Sequence, residues 1–194
     1  MSFSRKAPRT GNVVRGVLLL ASGRAAGIAH FGNSAESFTA SIAPLIAFPL
    51  VGTVLNIVNG APSDAIIGFL SRLCAVLAVA VITYEFARMT GRESLWLRTA
   101  TVLNWSFWLV IPLLGLAGIT GAIMVSAGMA LTTAEDILIG LIATYLLWYH
   151  WFAVRAGLNL GVFQAIALVI LTNAAIALLT SAPTLLAYAF KAES

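Results

Sequence analysis

Six side chains in this 194-residue chain sit within otherwise apolar runs and can do chemistry there: Arg72, Glu85, Asn104, His150, Arg155 and Asn173. An ionisable group at membrane depth costs at least about 2.5 kcal/mol, so each needs a partner or a task. Glu85, His150 and Arg155 supply a carboxylate, an imidazole and a guanidinium, a set that can relay protons or hold a ligand. Arg72 is of the type that binds an anionic substrate. His150, in "LLWYHWFAVR", has the side chain that ligates haem iron or chlorophyll magnesium. A haem b site usually takes two histidines, and His30 lies outside the apolar runs, so no cofactor and no metal are expected.

Counting inward from the run ends, at about 1.5 Å per residue, sorts these groups into two layers. The inner layer holds Glu85, Asn104, His150 and Arg155, with Trp105, Trp108, Trp148 and Trp151 nearby. A pair of Glu85 with Arg155 or His150 is expected to bridge the second and fourth spans. The outer layer holds Arg72, Asn173 and Tyr145, with Arg72 snorkelling toward Asp64, Glu135 or Asp136. The plainer reading makes the same residues polar glue between helices, beside an interfacial tryptophan belt.

The elements that carry them follow from composition. Sixty per cent of residues are hydrophobic, 9% are charged and mean hydropathy is +0.98. A soluble domain carries about a quarter charged residues, so the solvent for this chain is lipid. The apolar runs are about twice the length of a barrel strand, which predicts an all-α transmembrane bundle. Five spans are expected, at 38–58, 64–87, 97–119, 134–156 and 161–182, in a single membrane domain over 1–194. Pro44 and Pro49 should kink or break the first span. The apolar piece 120–131 can extend the third helix, re-enter the membrane or lie in the interface. Residues 1–33 are expected to form an interfacial segment. It includes a short amphipathic helix with Val14, Val17, Leu18 and Ala21 down and Arg15 and Arg24 reaching headgroups. The sole cysteine, Cys74, can form no internal disulfide and reads as a packing residue. Gly118, Ala122 and Ser126, and Gly157 with Gly161, have the spacing of close helix approach.

The net charge of +4 does not point to nucleic acid, because the basic residues sit at span ends, where they meet anionic headgroups. With the N-terminus in the cytoplasm, Arg5, Lys6, Arg9, Arg15, Arg24, Arg88, Arg92, Arg98 and Arg155 fall on that side, and only Lys191 falls outside. The expected topology is therefore a cytoplasmic N-terminus and a periplasmic C-terminus. The densest internal run of charge, "YEFARMTGRESLWLR", reads as the cytoplasmic connector between spans two and three. Gly91 lets it turn, Trp96 and Leu97 seat it at the interface, and Glu93 pairs with Arg92 or Arg98.

The stretch "FARMTGRESLWLRTATVLNWSFWL" resembles a family of small five-span inner-membrane proteins of alphaproteobacteria. "GRAAGIAHFG" (Gly23 to Gly32) and "WYHWFAVRAGL" (Trp148 to Leu158) are similar to the same family's motifs, and the likeness covers most of the chain. The five-span topology is also similar, more distantly, to the Yip family of membrane proteins. These resemblances imply a membrane-organising role and bring no enzymatic residues.

No phosphate-binding loop, HExxH, GxSxG or CxxC occurs. The functional expectation is a non-enzymatic scaffold or accessory subunit of a membrane assembly, with a membrane-protein partner or a second copy. Two alternatives are a small transporter or proton-conducting element, and a haem- or pigment-associated subunit of an energy complex.

Overall fold

The computed structural model describes residues 12–60 and 62–192, with side chains described through 185. Arg5, Lys6 and Arg9, and the side chain of Lys191, lie outside that set. Among the described residues there are seven α-helices: α1 (Val13–Ala21), α2 (Ala35–Val58), α3 (Pro62–Met89), α4 (Glu93–Ser106), α5 (Val110–Ser126), α6 (Leu131–Gly157) and α7 (Val162–Ala192). Short 3₁₀ helices cover Ala25–His30 and Phe107–Leu109. Five helical stretches among the described residues are long and apolar enough to cross a membrane, the third being Glu93–Ser126, which joins α4 to α5. The chain is an all-α, multi-pass membrane protein.

Proline acts differently in the two places where it matters. α2 runs unbroken through Pro44 and Pro49, so of the expected kink or break, the break does not occur. The break comes instead in the third span, where the 3₁₀ turn at Phe107–Leu109 precedes Pro112. The ring of Pro112 opposes the carbonyl four residues back, at Trp108, and Pro112 has no N–H for it. Of the three fates open to 120–131, helical extension is the one found, since α5 reaches Ser126.

One end of the bundle is tightly built. Val17, Leu20, Phe31, Val102, Leu109, Tyr149 and Ala153 form one buried cluster. Ala87, Val154, Leu158, Leu160, Ala165, Leu168 and Val169 form a second. α1 does not lie free on a surface. It docks through Val17 and Leu20, while Val14 and Leu18 face outward at 67% and 59% exposure. Leu20, absent from the expected apolar face, is fully buried. The Tyr145 hydroxyl donates to the Ala21 carbonyl at 2.7 Å, holding the end of α1 to α6.

The side chain of Asn33 grips the first turns of α4 directly. Asn33 donates from Nδ2 to the Ser94 carbonyl and accepts from the Arg98 N–H, each at 3.1 Å. Close backbone approach completes this end. A Cβ on Gly27 would stand 2.6 Å from the Gly16 carbonyl oxygen, and one on Gly157 would stand 2.5 Å from Thr99 Oγ1. The opposite end is looser. α5 buries no side chain, and a Cβ on Gly115 or Gly118 would meet nothing within 4 Å.

Candidate functional site

The connector positions the first of the six groups. Gly91, at φ +69°, adopts the left-handed conformation that lets α3 end and α4 begin within a few residues. Glu85 pairs with Arg88 at 2.9 Å, one turn along the same helix, and both side chains are substantially exposed. Arg155 lies over the ring of Trp151, 5.3 Å from its centroid. The expected bridge from Glu85 to Arg155 or His150 therefore does not form, because an intrahelical partner and an aromatic face hold the two charges apart. Glu93 likewise pairs with neither Arg92 nor Arg98 and accepts from the Tyr84 hydroxyl at 2.9 Å. Trp96 turns inward, donating to the Ala80 carbonyl at 3.2 Å and to Thr83 Oγ1 at 3.3 Å, and its ring packs tilted against Phe38 and edge-on to Tyr84.

Asn104, His150 and Asn173 do come together with partners. Asn104 Nδ2 donates to Ser41 Oγ at 2.9 Å, joining α4 to α2, while Ser41 itself donates to the Phe38 carbonyl. Ser106 bonds to the Val102 carbonyl and meets the Tyr149 hydroxyl at 3.2 Å, joining α4 to α6. His150 Nδ1 lies 3.5 Å from Asn173 Nδ2, which also donates to the Val169 carbonyl at 2.8 Å. With Nδ1 as the acceptor, the neutral ring carries its hydrogen on Nε2. Nε2 is buried and meets no partner among the described residues, as is true of Arg98 Nε and Trp151 Nε1. The contact corrects the two-layer reading, since Asn173 belongs beside His150.

Asn104, Ser106, Tyr149 and His150 line a cavity of about 360 Å³ whose remaining wall includes Leu45, Val76, Val79, Phe107 and Ile176. Those five apolar residues also line an adjoining cavity of about 450 Å³ that reaches Arg72 and Thr180. Arg72 and Thr180 in turn line a third, of about 480 Å³, with Asp64, Ser71, Pro183 and Thr184. A cleft thus runs between α2, α3, α4, α6 and α7, polar at its two ends and apolar at its waist. Among the described residues, Arg72 meets no carboxylate within 4 Å, so its expected partners Asp64, Glu135 and Asp136 do not pair with it. Asp64 shares its cavity nonetheless.

The arrangement can bind and orient, but it places no two titratable groups in contact along the cleft. His30 sits in the 3₁₀ helix beside α1 and lines no part of the His150 cavity. No group of three or more His, Cys, Asp or Glu able to hold a metal ion occurs among the described residues. Ser41, Ser106, Tyr149 and Thr180 were not expected at the site. Their hydroxyls carry little signal in a sequence, because Ser and Thr in membrane helices commonly bond back to their own turn.

The fold and cleft define a polytopic helical membrane protein with an internal polar cluster. The chain matches no family model, no curated protein and no solved structure.

Proposed function

We propose that this is a non-enzymatic protein of a bacterial inner membrane that serves as a scaffold or accessory subunit of a membrane assembly. Its N-terminus is cytoplasmic and its C-terminus periplasmic. One observation carries the scaffold reading: α5 presents half of a span outward without burying a side chain, and its Gly115 and Gly118 backbone is open to close approach. Small residues of this kind let a neighbouring helix approach within packing distance. The topology is supported by the gathering of Arg24, Arg88, Arg92, Arg98 and Arg155 around the tightly built end, on segments tied together by Asn33 and by the Gly157–Thr99 contact. The likeness of the connector to that of alphaproteobacterial proteins supports the inner-membrane placement.

The transport alternative draws support from the cleft, but the apolar waist at Leu45, Val76 and Phe107 interrupts any polar line between Arg72 and His150. A proton path would need that line to be wetted.

Photo-crosslinkers at positions 115 and 118, activated in native membranes, test the scaffold reading. Cross-links to a protein are expected from both, and Gly118→Leu should weaken them from position 115. Cross-links to lipid alone, with a monomeric chain in mild detergent, overturn it.

A further inference from the structure

We infer that the cavity around Asp64 and Arg72 seats one phospholipid with an ethanolamine headgroup, its acyl chains lying in the apolar waist. The inference is independent of the scaffold reading. Its first support is the order of groups along α3. Asp64 stands in the first turn, Arg72 lies about two turns deeper, and Ala75, Val76 and Val79 follow. An ethanolamine phospholipid presents the same order from headgroup to tail: ammonium, phosphate, hydrocarbon. Helical side chains lean toward their helix N-terminus, so Arg72 reaches back toward Asp64 and the headgroup plane. That shortens the gap between the two charges toward the span of one headgroup.

The second support is the donor and acceptor inventory. Ser71 donates to the Ile67 carbonyl at 2.9 Å, and Thr180 donates to the Ile176 carbonyl at 2.7 Å. Their hydroxyl hydrogens are thereby used within the helices, and toward the cavity they offer lone pairs. With the Asp64 carboxylate they form an acceptor set, and Arg72 supplies a donor in the same cavity. A primary ammonium satisfies acceptors by hydrogen bonding, which a quaternary ammonium cannot do. A bare anionic headgroup would leave Asp64 facing like charge. The third support is continuity: Arg72 and Thr180 line both the polar cavity and the apolar one beneath it, next to Phe48, Phe107 and Ile176.

The full chain, reconstituted in nanodiscs of equimolar phosphatidylethanolamine, phosphatidylcholine and phosphatidylglycerol with matched acyl chains, tests this. Lipid retained after extraction into mild detergent is quantified by mass spectrometry. About one phosphatidylethanolamine per chain is expected, in preference to both others. Arg72→Ala should lower its retention about tenfold, the loss of one charge-assisted contact. Asp64→Asn should abolish the preference over phosphatidylcholine while phospholipid is still held. Ile176→Trp should expel lipid of every headgroup with helicity unchanged. Retained lipid that mirrors the disc composition, a preference for phosphatidylglycerol, or unchanged retention in Arg72→Ala overturns the inference. Should Arg72→Ala fail to fold, Asp64→Asn, at an exposed position, decides alone: a surviving ethanolamine preference refutes it.

Discussion

Gly157, the last residue of α6, lies so close to Thr99 of α4 that any Cβ on it would stand 2.5 Å from Thr99 Oγ1 and 2.8 Å from Thr99 Cγ2. Thr99 is fully buried and bonds to the Leu95 carbonyl at 2.9 Å, so it cannot swing away freely. Overpacking of this kind costs about 1–3 kcal/mol. Gly157→Ala should therefore destabilise the folded protein by that order in a reversible detergent-unfolding assay. Thr99→Ala in the same chain should return most of the loss. Independent, additive effects would show that the two helices are not in contact there.

Asn104 and Ser41 should be coupled across α4 and α2. Interhelical hydrogen bonds in membranes average about 0.6 kcal/mol and reach about 1.7 kcal/mol. Asn104→Ala and Ser41→Ala, singly and together, should give a coupling energy within that range. A value indistinguishable from zero would remove the polar tie from the list of forces that hold α2 in place.

Glu85 and Arg155 should not be coupled at all. Each has another partner, Arg88 for the first and the Trp151 ring for the second. Reversing both charges should restore nothing that the single reversals lose. The exposed Glu85–Arg88 pair itself is worth about 0–1 kcal/mol, lowered further by salt. A charge-swap rescue between 85 and 155 would contradict the observed geometry.

Asn33 offers a graded test. Asn33→Ala removes both bonds to the start of α4 and should cost about 1–2 kcal/mol. Asn33→Asp keeps an acceptor for the Arg98 N–H but loses the donor to the Ser94 carbonyl, so it should fall between. Limited proteolysis of the α3–α4 connector should speed up in the same order. Equal behaviour of the two variants would mean that only one of the bonds matters.

Hydropathy made the five spans legible, because a run of apolar residues long enough to cross lipid has no other stable solvent. The connector was legible for the complementary reason: Arg88, Arg92 and Arg98 cannot lie in the hydrocarbon. Contacts between helices were not legible, since hydropathy fixes depth and leaves rotation about each helix axis free. Glu85 was thus assigned a partner on another helix when it had one a turn away. Asn173 was misplaced because depth was measured from an outer boundary near 182, whereas α7 continues to Ala192. Pro112 carries no more signal in the sequence than Pro44 or Pro49, although the 3₁₀ turn precedes it and α2 runs through the other two. The docking of α1 escaped notice because Leu20 lies in a helix too short for its periodicity to settle which residues face protein and which face lipid.

The Tyr145–Ala21 bond links residues 124 positions apart, and Asn33 reaches residues 61 and 65 positions downstream. A chain made from its N-terminus has α1 and the Asn33 loop available long before their partners exist. Their grip on α4 must wait for the connector to emerge, and their grip on α6 for the fourth span. Contacts between such distant segments form late. The earlier-made of the paired segments is thus among the last to lock. Until it does, the arginine-rich end of a nascent chain stays unsealed, and surfaces that the finished protein hides stay open.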